Sequence, residues 1–316
     1  MPPQPSPDQT APAAQAAQAV DQALDALTSQ TPALAGIIAA FRPLKLAQAR
    51  LGAELPALAG HPPRTDPARR AQGLPLAACA DFLAGTDLEG YLKRAAALIL
   101  PAIGAGFPPL AADAQALGRA LGRALADPAA PADPLLAARP LLEAVLHGDQ
   151  KALQASAGRA GVDPAGLQFC LLQMAKPLLE KRAAALAPLL GEQPWLHGAC
   201  PICGSLPEMA YLQGEGGQRW LRCSLCAHHW RFARTQCPVC GNEDQEWMEF
   251  FFVEGRERER VDCCRACGKY VVTLDARDLD QPPRWEVAAL GLVHLDVLAQ
   301  EKGLTPATWS AWNQVG

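Results

Sequence analysis

The chain has 316 residues, half of them hydrophobic, with 28 basic against 32 acidic residues and a formal net charge of -4. That length allows two or more domains with a substantial core, and that charge singles out neither nucleic acid nor a membrane surface as a partner. Composition shifts near residue 190: Ala, Leu and Pro dominate before it, and all seven Trp lie at Trp195 or beyond. An α-helical part is therefore expected to precede a smaller part rich in Cys and aromatic residues.

Residues 1–15, rich in Pro, Ala and Gln, read as a disordered tail. The first twenty residues lack the charged and apolar regions of a secretory leader, so a cytoplasmic location is expected. The longest uncharged run, 95–112, is interrupted by Pro101, Pro108 and Pro109 and is not read as a membrane span. Helices are expected from Ala16 to Ser29 and from Ala33 to Gly52, followed by a loop over 61–67. Thr86-Asp-Leu-Glu89 has the form of a capping box and should start a helix that ends before Pro101. Leu117, Leu121, Ala124 and Leu125 share one helical face. Asp133 and Asp163, each followed by Pro, are candidate N-caps. Beyond Asp163, Leu167, Cys170, Leu171 and Met174 form an apolar stripe. Pro177 should end or kink that helix, with a further helix running to about Leu190. Cys79 and Cys170 read as core thiols. This helical domain, 16–194, carries no recognisable catalytic signature.

Four Cys-x-x-Cys pairs follow: Cys200/Cys203, Cys223/Cys226, Cys237/Cys240 and Cys264/Cys267. The first and third have the form CPxCG, and each is followed after some twenty residues by another pair, so the stretch is a duplicated unit. Two Cys separated by two residues can sit on a tight turn with both sulfurs aimed at one point and backbone amides facing the thiolates. A residue without a Cβ after the second Cys allows positive φ. Gly204, Gly241 and Gly268 meet that requirement; Ala227 does not, so a distorted knuckle is expected there. Pro201 and Pro238 fix φ at their turns. Between knuckles each copy reads as a hairpin, Met209–Leu212 with Arg219–Arg222 and Trp247–Val253 with Glu259–Asp262. The unbroken run Phe250 to Phe252 suggests a strand buried on both faces or covered by a partner.

Pairing within each copy assigns Cys200, Cys203, Cys223 and Cys226 to one ion and Cys237, Cys240, Cys264 and Cys267 to the other. The competing reading, disulfides or inert thiols, is disfavoured in a cytoplasmic chain. The spacing suits zinc or mononuclear iron, and in principle an iron–sulfur cluster. A complete set of four thiolates leaves no position for substrate, so such sites are structural, or electron-transferring if the metal is iron. Cys263 reads as a strand residue facing away from Cys264 rather than a spare ligand or reactive thiol. His228 and His229 read as surface or packing residues rather than ligands. Cys203→Ser or Cys240→Ser is expected to unfold its own module and spare the helices. The organisation is thus a disordered tail (1–15), an all-α domain (16–194), two zinc-ribbon-like four-cysteine modules (195–233 and 234–277), and a C-terminal helix and tail (278–316). In the last, Ala288, Leu292, Leu295 and Ala299 form the stripe and Gly303 the cap.

CPICG, LRCSLCAHHW, CPVCG and CCRACGKY, closed by AALGLVHLDVLAQEKG, together resemble the formate dehydrogenase accessory protein family, FdhE, over about residues 198–303. The resemblance implies a helical N-terminal domain and two rubredoxin-like modules binding iron through the eight knuckle cysteines. It also implies a cytoplasmic maturation factor that contacts the catalytic subunit of respiratory formate dehydrogenase before export. A non-enzymatic assembly factor is therefore the expected function. A rubredoxin-like redox protein is one alternative, and a zinc-ribbon nucleic-acid adaptor is the other. Acidic residues outnumber basic ones between Trp195 and Asp275 and the signs interleave along Arg256 to Arg260, which disfavours a phosphate-binding stripe.

Overall fold

The computed structural model describes residues 13–56, 66–126, 133–191, 195–310 and 313. Most of the expected tail and of the 61–67 loop lies outside these residues; 13–15 are already helical. Helix α1 (Ala13–Gln30) buries Ala17, Val20 and Leu24 at helical spacing and packs on α2 (Ala35–Glu54), which buries Ile38, Phe41, Leu44 and Leu51. Short α3 (Pro67–Ala71) and α4 (Leu76–Cys79) lead to α5 (Leu88–Gly106) and α6 (Ala111–Ala124). Next come α7 (Ala138–His147), α8 (Gln150–Ala160) and α9 (Pro164–Leu186). Helix α9 is the hub, packed against α2, α5, α6, α7 and α8. Its start is the expected one, with Asp163 Oδ1 accepting the Ala165 and Gly166 amides at 2.9 and 3.2 Å, and Leu167, Cys170, Leu171 and Met174 are all buried.

Proline does not end the helices where the sequence suggests. Helix α5 runs through Pro101: burying Ile99, Leu100 and Ile103 at roughly 2 kcal/mol each outweighs the ~3 kcal/mol cost of an internal proline. Helix α9 continues through Pro177, and its neighbours repair the broken ladder. The Gln173 carbonyl, which residue 177 would normally satisfy, accepts Gln48 Nε2 at 3.0 Å. The Tyr91 hydroxyl donates to the Met174 carbonyl and accepts the Leu178 amide at 3.2 Å. Two caps also differ. Asp87, not Thr86, caps α5 by accepting the Gly90 amide at 2.9 Å; the charged carboxylate is the stronger acceptor, and the Thr86 hydroxyl accepts Arg182 Nη1 at 3.4 Å. Asp133 accepts the Leu135 amide at 3.1 Å but closes only a turn over 134–136, and α7 starts at Ala138.

Strands β1 (Pro207–Gln213), β2 (Gln218–Cys223), β3 (His229–Arg231), β4 (Met248–Phe252), β5 (Glu259–Cys264), β6 (Lys269–Asp275) and β7 (Thr305–Pro306) form one sheet, ordered β3-β2-β1-β6-β5-β4. Each copy of the duplicated unit is a three-stranded antiparallel meander, the expected hairpin plus a strand after the second knuckle. A parallel pairing of β1 with β6, Ala210 opposite Thr273, joins the copies. Short β7 shares that edge of β6, pairing at Lys269 and Tyr270.

The expected last helix is two, α10 (Trp285–Gly291) and α11 (Val293–Glu301), broken at Leu292. The break lets α10 pack on α1 while α11 packs on β5 and β6. Ala288 is consequently only half-buried, whereas Leu292, Leu295 and Ala299 are buried and Gly303 takes φ +78° after the helix end. Between helices and sheet lies a buried charged cluster. Glu208 on β1 pairs with Arg222 on β2 and lies 3.7 Å from Lys176 Nζ on α9, with Lys45 of α2 also buried nearby. Burial pulls Lys45 down to about 7 and Lys176 down to about 8.

Candidate metal centres

Each knuckle is a turn at the end of a strand or segment, closed by backbone hydrogen bonds. Gly204 and Gly241 donate to the carbonyls of Cys200 and Cys237 at 2.9 and 3.0 Å, and Gly268 donates to that of Cys264 at 2.8 Å. The Cys200 and Cys237 amides in turn donate to Ser205 and Asn242 at 2.8 Å. All three glycines take positive φ, and so does Ala227 at +53°, the sole non-glycine among the described residues to do so. The expected distortion is therefore absent. Ala227 adopts the left-handed conformation at a cost of roughly 1–2 kcal/mol because the knuckle requires it.

The turns aim amides at sulfur. Ile202, Leu225 and Val239 amides lie 3.4 Å from Sγ of Cys200, Cys223 and Cys237, respectively. Such donors offset thiolate charge. The Sγ atoms of Cys200, Cys203, Cys223 and Cys226 lie within 4.8 Å of one another, and so do those of Cys237, Cys240, Cys264 and Cys267. Across knuckles the separations are 3.7 Å (Cys200 to Cys226), 3.3 Å (Cys203 to Cys223), and 3.8 Å for both Cys237 to Cys267 and Cys240 to Cys264. A tetrahedron with metal–sulfur bonds of about 2.3 Å has sulfurs about 3.8 Å apart. A disulfide needs about 2.05 Å, and all eleven cysteines are free. The two clusters can hold two metal ions, one per copy. Zinc would supply a structural cross-link there, and iron would add a one-electron redox couple.

Electrostatics point the same way. Burial holds Cys200 and Cys226 well above the usual thiol range, while hydrogen bonds from Cys200, Cys223 and Cys226 hold Cys203 well below it. A cation shared by the four sulfurs would offset the cost of burying thiolates there. The two sites differ in a way that spacing could not reveal. In the first, all four cysteines are buried; in the second, Cys240 is exposed and Cys267 half-exposed.

Neighbouring candidates stay outside both clusters. Cys263 pairs across the sheet with Tyr270 on the face opposite Cys264, and burial pushes its thiol up to about 11. His229 Nδ1 lies 3.0 Å from the Tyr211 hydroxyl, and Tyr211 stacks on Trp285 at 4.0 Å, so this histidine packs rather than ligates. Cys79 and Cys170 are core residues, and burial pushes the Cys170 thiol up to about 12. The strands missed by sequence reading are β3, β6 and short β7. The run Tyr270 to Leu274, rich in β-branched residues, was the available signal for β6.

Residues 199–234, which contain the whole first cluster, match the family model described as the FdhE central domain. The resemblance is to FdhE. A protein FdhE homolog of Aquifex aeolicus is 30% identical over 148 residues, covering 45% of this chain and 50% of that protein. One from Edwardsiella ictaluri is 31% identical over 137 residues, covering 42% and 41%, and one from Haemophilus influenzae is 32% identical over 108 residues, covering 33% and 34%. These matches span half or less of the curated relatives' length. The crystal structure of the FdhE protein from Pseudomonas aeruginosa superposes with a TM-score of 0.54 at 22% identity, covering 96% of this chain and 95% of that one. The FdhE fold therefore extends over the helical region, the sheet with its two four-cysteine clusters and the C-terminal helices.

Proposed function

We propose that this chain is a cytoplasmic accessory factor for a respiratory formate dehydrogenase. In this reading the eight knuckle cysteines ligate two metal ions, and the surface they hold contacts the catalytic subunit before export. The observation that carries the reading is the FdhE central-domain match falling on a fully buried four-thiol cluster. A set of four thiolates around a tetrahedral ion offers no open coordination position, which supports a binding role over catalysis. Among the described residues no helix is long and apolar enough to cross a membrane. Affinity purification from cells that also express the formate dehydrogenase catalytic subunit tests the proposal. Co-recovery of that subunit is expected, and its repeated absence at comparable expression would sink the idea.

One observation favours a second, redox reading. Exposure of Cys240 and partial exposure of Cys267 would bring an iron ion at the second site within reach of a surface electron donor. Anaerobic optical spectroscopy separates the two. A red protein bleached by dithionite supports redox chemistry, and a colourless zinc protein opposes it.

A further inference from the structure

Strand β4 ends the sheet, and among the described residues no strand lies beyond it. It is not buried on both faces as its three phenylalanines suggested: Trp247, Phe250, Phe252 and Val253 are 48%, 59%, 45% and 39% exposed. An exposed apolar edge strand is a template for another chain, and proteins seldom leave one bare. Around this edge, Glu243, Asp244, Glu246, Glu249 and Glu254 are all exposed, and 242–254 contains no cation. Arg265 pairs with Glu249 at 2.8 Å, which leaves the other four without a cationic partner at salt-bridge distance among the described residues. The aromatic face already receives one guanidinium, Arg260, 5.1 Å from the Phe250 ring centroid.

We propose that the free edge of β4 accepts an extended, arginine-rich segment of a partner protein as an added strand. Main-chain hydrogen bonds to β4 supply affinity, while alternate side chains stack on Phe250 and Phe252 or pair with the flanking carboxylates. A second copy of this chain fits poorly, because pairing edge to edge would bring the same carboxylates together. The first twelve residues of the chain fit poorly too, since they bring five prolines and no cation. The edge lies beside the second cluster, with Met248 opposite Cys264 and the Trp247 carbonyl accepting the Arg265 amide at 2.8 Å. An added strand would therefore border the exposed site.

The test uses the full-length protein and short synthetic peptides alternating Arg with Val, followed by calorimetry and Trp fluorescence. Saturable binding is expected, weakened roughly tenfold or more by Phe250→Ser with Phe252→Ser and by Glu246→Lys with Glu254→Lys. The charge-reversal pair keeps the proposal falsifiable if the phenylalanine pair fails to fold. Backbone N-methylation of the peptide should also abolish binding. Three results would each overturn the proposal: no binding, equal binding of a Glu–Val peptide, or dimerisation of the free protein that the phenylalanine substitutions abolish.

Discussion

Tyr91 shows how much of a helix can depend on one hydroxyl. It bridges the Met174 carbonyl and the Leu178 amide beside Pro177, so Tyr91→Phe removes a buried partner from both backbone groups. At about 1–3 kcal/mol for a buried unsatisfied group, a loss of about 2 kcal/mol is expected by urea denaturation; a change below about 0.5 kcal/mol would contradict the bridge. Asp296 makes a pH prediction. Burial raises its carboxyl to about 6, even with the Tyr270 hydroxyl donating at 2.8 Å. The native state then keeps a proton that the unfolded chain releases near its ordinary value of about 3.9. Its contribution is complete below about pH 4 and is lost as pH rises through about 6, an effect on the order of 3 kcal/mol. Asp296→Asn should gain stability relative to the parent as pH rises from about 4 to about 7. Parallel melting-temperature profiles would refute it. Neither feature was legible from local sequence, because both depend on partners more than twenty residues away. The knuckle turns were legible, since Gly204, Gly241 and Gly268 mark the backbone they need; Ala227 was misjudged because the backbone imposes its conformation on an unfavourable residue.

Duplication is the feature that sequence exposed best among the elements. Each hairpin follows from the repeated spacing, and the orientation of Cys263 from the alternation of side chains along a strand. The third strand of each copy was missed, as was the parallel β1–β6 pairing, because a contact between the copies leaves no periodic trace within either. The copies nevertheless sit in different surroundings, and burial should set the rate at which their ions exchange. A mild chelator is expected to strip the Cys237–Cys267 site first and the Cys200–Cys226 site much more slowly, seen as two kinetic phases in metal release. A single phase in the parent, or a fast phase that survives in Cys240→Ser protein, would contradict the assignment.

The four cysteines of the first cluster belong to the same buried core as the helices, whereas those of the second do not. The Leu76 and Ala77 amides of α4 donate to the carbonyls of Pro201 and Ile202 at 3.0 and 2.8 Å, and Gly198 lies so close to the Pro238 carbonyl that a Cβ would not fit. Glu208, Arg222 and Lys176 add a buried ion-paired link between sheet and helices. These ties revise the expectation that each module fails alone. A structural tetrathiolate ion contributes on the order of 10 kcal/mol, comparable with a domain's whole stability. Cys203→Ser should therefore cost the helices their cooperative melting, while the damage from Cys240→Ser should remain near β4 to β6. Composition separated a helical part from a sheet part, but the absence of long-range information in a single sequence hid how tightly the two are joined. The most direct test is the metal-to-protein ratio of anaerobically purified protein. Two clusters predict two ions per chain in the parent and one in the folded fraction of each of Cys203→Ser and Cys240→Ser. A parent ratio of one, or a ratio unmoved by either substitution, would contradict two independent four-cysteine centres.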